Sequence, residues 1–237
     1  MLFSVTDHFM RTARHASFYL ASGPEAGPLI IFVHGWPELS HSWRHQLRCF
    51  AALGFRCVAP DMRGYGRSSH YDTHADYALE HSVDDMLDLL AHLGRERAVW
   101  IGHDWGSPVV WSLGSHHPEC CEAIANLCVP YIADKEGLAR EVARALKPGG
   151  RFSCNDIARG SGGAPVFPLP WADDEVSSFL VSPAEMRAAL EAGGLSVIEQ
   201  IDVTATRFGE TGRQPVIEHD DFPCASTTFR AAWPMGV

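Results

Sequence analysis

Gly102-His103-Asp104-Trp105-Gly106 is the stretch of this sequence best suited to chemistry. The apolar run Ala98 to Ile101 leads into it and reads as a strand, and Ser107-Pro108 opens a helix behind it with proline in the first turn. A strand-to-helix reversal this tight strains the backbone of its central residue, and glycines on both sides avoid the clashes. The central side chain then stands exposed beyond the end of the sheet. Because it is a carboxylate, the chemistry it offers is attack on an electrophilic carbon to form an ester. Two backbone N–H groups are expected to face the reacting atoms: that of Trp105, and that of Trp36, which follows His34-Gly35. An Asp that only N-caps the helix is the plain alternative for the five residues taken alone. The His34-Gly35-Trp36-Pro37 break after a second buried strand weighs against it.

The surrounding elements are laid out to position this turn. Leu29 to Val33 is a continuous apolar run, as expected for a strand buried on both faces. Residues 41 to 53 read as a helix stopped by Gly54, Phe55 to Ala59 as a strand, and Asp61 to Ser69 as a glycine-rich loop. From Ala75 to Leu93 the residues Val83, Met86, Leu87, Leu90 and Leu93 recur at helical spacing, with Gly94 as the stop. Glu122 to Val129 gives another strand, and His15 to Leu20 reads as an edge strand. Strands alternating with helices predict an α/β fold, a parallel sheet with helices on both faces.

Several classes are disfavoured by bulk properties. A net charge of −10 over 237 residues argues against nucleic acid and anionic membranes as partners. Seven cysteines without CxxC spacing, no signal peptide and no bilayer-length apolar run point to a reduced, cytoplasmic protein. No HExxH or acidic/histidine cluster suggests a metal, and no cofactor is expected.

Three motifs together give the first 131 or so residues a family likeness: His34-Gly35-Trp36-Pro37-Glu38, Asp61-Met62-Arg63-Gly64-Tyr65-Gly66-Arg67-Ser68, and the turn at Asp104. This part resembles the α/β-hydrolases, and among them the epoxide hydrolases. Haloalkane dehalogenases share the Asp-Trp pair, but His103 and Trp36-Pro37-Glu38 favour the epoxide side. The resemblance implies that Asp104 is the nucleophile, that Trp105 and Trp36 supply the oxyanion-hole N–H groups, and that a small-molecule epoxide is the substrate. Trp36, Trp105, His34 and His103 are the residues expected around the pocket, with His34 and His103 shaping the loops rather than acting as bases. The family also uses an acid, a His base and two lid tyrosines. Here every tyrosine lies at or before Tyr131, and His219 is the sole His after His117 and hence the candidate base.

The second half has a different character. Ile132-Ala133-Asp134-Lys135, the run Glu141 to Arg151 through Lys147-Pro148-Gly149-Gly150, and Ser182-Pro183-Ala184-Glu185-Met186 resemble the C-terminal part of class I S-adenosylmethionine-dependent methyltransferases, a Rossmann-like fold. The glycine-rich loop by which that family binds its cofactor has no counterpart here. Arg151 to Ile157 and Leu195 to Val203 read as strands, and Ser182 to Glu185 as a capping box opening a helix that runs to Gly193. The expected organisation is a hydrolase nucleophile half at 1–131, a methyltransferase-like segment at 132–208 and a poorly ordered tail at 209–237. The function expected is an epoxide-hydrolase-type enzyme with an incomplete catalytic set. The alternatives are a non-catalytic fusion product, a methyltransferase-like protein, or a haloalkane dehalogenase. An exposed sheet edge leaves self-association open.

Overall fold

The computed structural model describes residues 3–127, 132–146, 151–160, 164–165, 167, 172–202 and 224–232. The chain divides into two compact units, Met1–Leu127 and Cys128–Val237. In the first, β1 (Thr6–Arg11), β2 (Ala16–Ser22) and β3 (Leu29–Val33) are followed by α1 (Arg44–Ala52), β4 (Arg56–Pro60), α2 (Leu79–His92), β5 (Ala98–His103), α3 (Gly106–His116) and β6 (Cys121–Leu127). Across the sheet these strands run β1-β2-β4-β3-β5-β6.

β4, β3, β5 and β6 are parallel, as the strand–helix alternation predicts. β2 is antiparallel to both β1 and β4, so the sheet is mixed rather than wholly parallel. The reason is local. β1 and β2 are joined by a tight turn in which the Thr12 N–H donates to His15 O at 2.8 Å, far too short a connection for a crossover. The edge strand is β1, which sequence patterning does not reveal, and β2 lies inside it.

The two faces of β3 separate the core. Ile31 and Val33 join Val58 and Trp100 against Val83, Met86 and Leu89 of α2 and Val109, Val110 and Leu113 of α3. Ile30 and Phe32 pack on the other face against Trp43 and Leu47. Five consecutive apolar residues therefore do serve a strand buried on both sides. Two predicted helices are shorter than their periodicity suggests. Residues 74–77 form a 3-10 turn, and Ala78, at ψ 149, breaks it from α2. Residues 40–43 likewise form a 3-10 turn before α1.

The glycine-rich loop after β4 is held from beneath. Arg63 donates to both carboxylate oxygens of buried Asp85, at 2.7 and 2.9 Å, and Arg14 reaches the same group at 3.1 Å. His15 is buried beside them. Its Nδ1 lies 2.8 Å from the Tyr71 hydroxyl, which is also 3.0 Å from Arg14 O. Its Nε2 faces Asp85 Oδ2 at 3.5 Å.

The second unit contains α4 (Lys135–Ala145), β7 (Arg151–Arg159), α5 (Pro183–Ala192), β8 (Ser196–Asp202) and β9 (Cys224–Ala232). The Asp134 carboxylate caps α4 by accepting from Gly137 N–H at 2.7 Å. Ser182 and Glu185 cap α5 reciprocally, as the sequence predicts. β9 lies between β7 and β8 and is antiparallel to both. It falls inside the stretch expected to be a poorly ordered tail, so that expectation is corrected for residues 224–232. These residues gain order from backbone pairing on both sides, not from a hydrophobic period of their own.

Candidate active site

Chain connectivity places a crevice at one point of the first unit. β3 leads through α1 to β4 on one side, and β5 leads through α3 to β6 on the other, while β3 and β5 are neighbours. Loops leaving the carboxyl ends of such a pair diverge, and ligands bind in the gap between them. The register sets Val33 opposite Gly102, so the loops beginning at His34 and His103 emerge side by side.

Asp104 sits at the tip with φ 50, the one non-glycine residue with positive φ among those described. Its Oδ1 accepts the Trp36 N–H at 2.8 Å. This close approach depends on glycine: a Cβ on Gly35 would stand 2.3 Å from the Asp104 Cβ and 2.6 Å from Oδ1. A Cβ on Gly106 would meet Val33 O at 2.3 Å, and one on Gly102 would meet Gly106 O at 2.6 Å. The flanking glycines thus let α3 start directly over β3, while Asp104 itself carries the strain.

The donor loop is fastened from three directions. His34 is fully buried; its Nε2 accepts the Met62 N–H at 2.9 Å, so its Nδ1 carries the proton and donates to Gly35 O at 2.8 Å. Burial lowers the His34 pKa, which keeps the ring neutral in this role. The turn closes with Glu38 N–H donating to Gly35 O at 3.0 Å around a cis Trp36-Pro37 bond. Glu38 then accepts from His103 Nδ1 at 3.1 Å. Behind this loop, the buried Asp61 carboxylate accepts the N–H groups of Ser40 and Arg67, at 2.9 and 3.0 Å.

In this geometry the His34 and His103 rings each bond to the loop that carries Trp36. The Trp36 and Trp105 side chains do not fill the core: they are 65% and 63% exposed; Trp105 follows Asp104 in sequence, and Trp36 lies on the facing loop that donates to it. Trp105 precedes the first turn of α3, with φ −60 and ψ −19. His219 and Tyr131 lie outside the described residues. Sequence reasoning assigned no role to Glu38 or Asp61. Nor did it single out Tyr65, whose ring meets His34 edge-on at 5.0 Å and whose pKa is raised by burial and by the Asp104 charge. Their place within the motifs was the available signal. Among the described residues no three of His, Cys, Asp and Glu gather as a metal site, and no helix is long and apolar enough to cross a membrane.

A mixed, mostly parallel sheet flanked by helices, with a strained acidic residue at its switch point, is the arrangement of an α/β-hydrolase. The alpha/beta hydrolase fold family matches residues 28–151, a little over half of the chain, and the chain belongs to it. Epoxide hydrolase B of Mycobacterium tuberculosis is 43% identical over 107 residues, covering 45% of this chain and 30% of that protein. Epoxide hydrolase A of the same species is 44% identical over 111 residues, covering 47% and 34%. The crystal structure of epoxide hydrolase A from Mycobacterium thermoresistibile superposes with a TM-score of 0.53 at 35% identity, covering 55% of this chain and 41% of that one. The chain thus spans about a third of the length of the curated relatives it matches. The epoxide hydrolase likenesses fall on the N-terminal half, the family match reaches residue 151, and none of them supports the methyltransferase resemblance of residues 132–206.

Proposed function

We propose that the first unit carries the nucleophile of an epoxide-hydrolase-type enzyme acting on small-molecule epoxides. The observation that carries this reading is the 2.8 Å hydrogen bond from Trp36 N–H to Asp104 Oδ1 at a strained turn in the switch-point crevice. With Oδ1 held, Oδ2 is the attacking oxygen. It bonds to a ring carbon, the ring C–O bond breaks, and the ring oxygen leaves with the electron pair and takes a proton from water. Water then adds to the Asp104 ester carbonyl, and the charge moves onto Oδ1. The N–H groups of Trp36 and Trp105 stabilise it there, each worth about 3 kcal/mol. Collapse releases the diol and returns Asp104 with one oxygen drawn from water. His219 is the candidate base for the water step. The relatives named epoxide hydrolases support the substrate class. The free cysteines among the described residues support a reducing, cytoplasmic setting.

Intact mass after incubation with a small aryl epoxide, beside Asp104→Asn, tests this directly while diol is assayed. A persistent adduct without diol means a live nucleophile lacking a base. Diol lost in the variant means a complete cycle. Neither adduct nor diol rejects the reading.

A further inference from the structure

We infer that Glu38 and His103 are positioning residues that hold the Trp36 N–H on Asp104, an inference that rests on the reading of Asp104 as nucleophile. The geometry forms a closed ring. Trp36 N–H reaches Asp104 Oδ1 at 2.8 Å; two residues after Trp36, the Glu38 carboxylate takes the proton-bearing Nδ1 of His103 at 3.1 Å; and His103 adjoins Asp104. The side-chain pair is thus a second bond between the same two loops that meet at the nucleophile. Both side chains are about a third exposed (33% and 32%), so the pair is not a core element needed for folding. The His103 ring is also set edge-on to Trp43 at 6.5 Å, which fixes the direction of its Nδ1. The atom under control is the oxygen on which charge develops when the ester is hydrolysed, and a small displacement of the donor there is costly.

Hydrogen exchange of the Trp36 amide in the full, 15N-labelled chain reads this bond without any epoxide present. Asp104→Ala supplies the rate of the unbonded amide. Glu38→Ala is expected to speed exchange of the Trp36 amide at least tenfold towards that rate. Glu38→Gln, whose amide oxygen still accepts from His103, is expected to keep the unmodified rate within about twofold. His103→Phe, which preserves the ring against Trp43 and deletes the donor, must behave as Glu38→Ala does. An unchanged rate in both Glu38→Ala and His103→Phe, or failure of Glu38→Gln to keep the unmodified rate, overturns the positioning role. Failure to form an adduct in the unmodified protein would overturn only the epoxide reading.

Discussion

The two units of this chain use the same ingredients to different ends. In the first, parallel strands force long crossovers, and the two that diverge at β3 and β5 open a crevice into which polar groups are drawn. In the second, β9 joins β7 and β8 by antiparallel pairing. Its described polar contacts include helix caps, exposed pairs such as Arg187–Glu191, and the bonds of Arg159 to Leu180 O and of Arg187 to Gln200. The difference teaches where chemistry can arise: buried carboxylates, strained backbone and converging N–H groups accumulate at the switch point of the first unit.

The contrast is broken hardest by removing the deepest charge of the first unit. Asp85→Ala strands the Arg63 guanidinium in the interior, and loss of one partner of a buried pair costs about 3–5 kcal/mol. Calorimetry is expected to show the first unit's transition falling steeply while signals of the second are retained. A loss below about 1 kcal/mol would mean that Arg63 finds water instead.

Acid sharpens the same contrast. Burial lowers the pKa of His15, with the Asp85 carboxylate partly offsetting it and the Arg63 and Arg14 charges adding to it; burial also lowers that of His34. The unfolded chain binds these protons at about pH 6.5, whereas the folded chain refuses them. The stabilisation is therefore complete above about 6.5 and is lost as pH falls from there towards the lowered folded values. For each ring the loss is about 1.4 kcal/mol for every pH unit separating its unfolded and folded pKa. Urea midpoints measured from pH 7.5 to 5 are expected to fall, and the fall to shrink in His15→Gln. A flat profile would refute the neutral, buried state of these rings.

The smallest effect belongs to the second unit. Ser182→Ala removes the side chain that accepts from Glu185 N–H and is expected to cost about 1 kcal/mol, read as lower helicity and midpoint there, with adduct formation at Asp104 unchanged.

How much of this was legible depends on what each residue is doing. β3, the turn at Asp104 and the capping box at Ser182 announce themselves because side-chain type and local conformation coincide. β1 does not, because only Met10 of its six residues is buried and an edge needs no apolar face. β9 does not either, since its order is supplied by strands distant in sequence. Within the site, Asp104 and the Trp36 N–H follow from spacing, while Glu38 is revealed only once the fold sets it against His103. The methyltransferase likeness rests on turns and caps, which many helix-to-strand reversals share.

The central place of β9 bears on how the protein is made. β7 and β8 flank it but precede it along the chain, so the newly synthesised strands must wait with facing edges unfilled. At roughly 5–20 residues per second, β9 follows β8 out of the ribosome by about one to five seconds. During that interval the slot is a template for any extended segment, from this chain or another. A stalled ribosome or a clipped carboxyl-terminal stretch would therefore leave a half-zipped product, prone to clustering and attractive to chaperones, even with the crevice at Asp104 already formed.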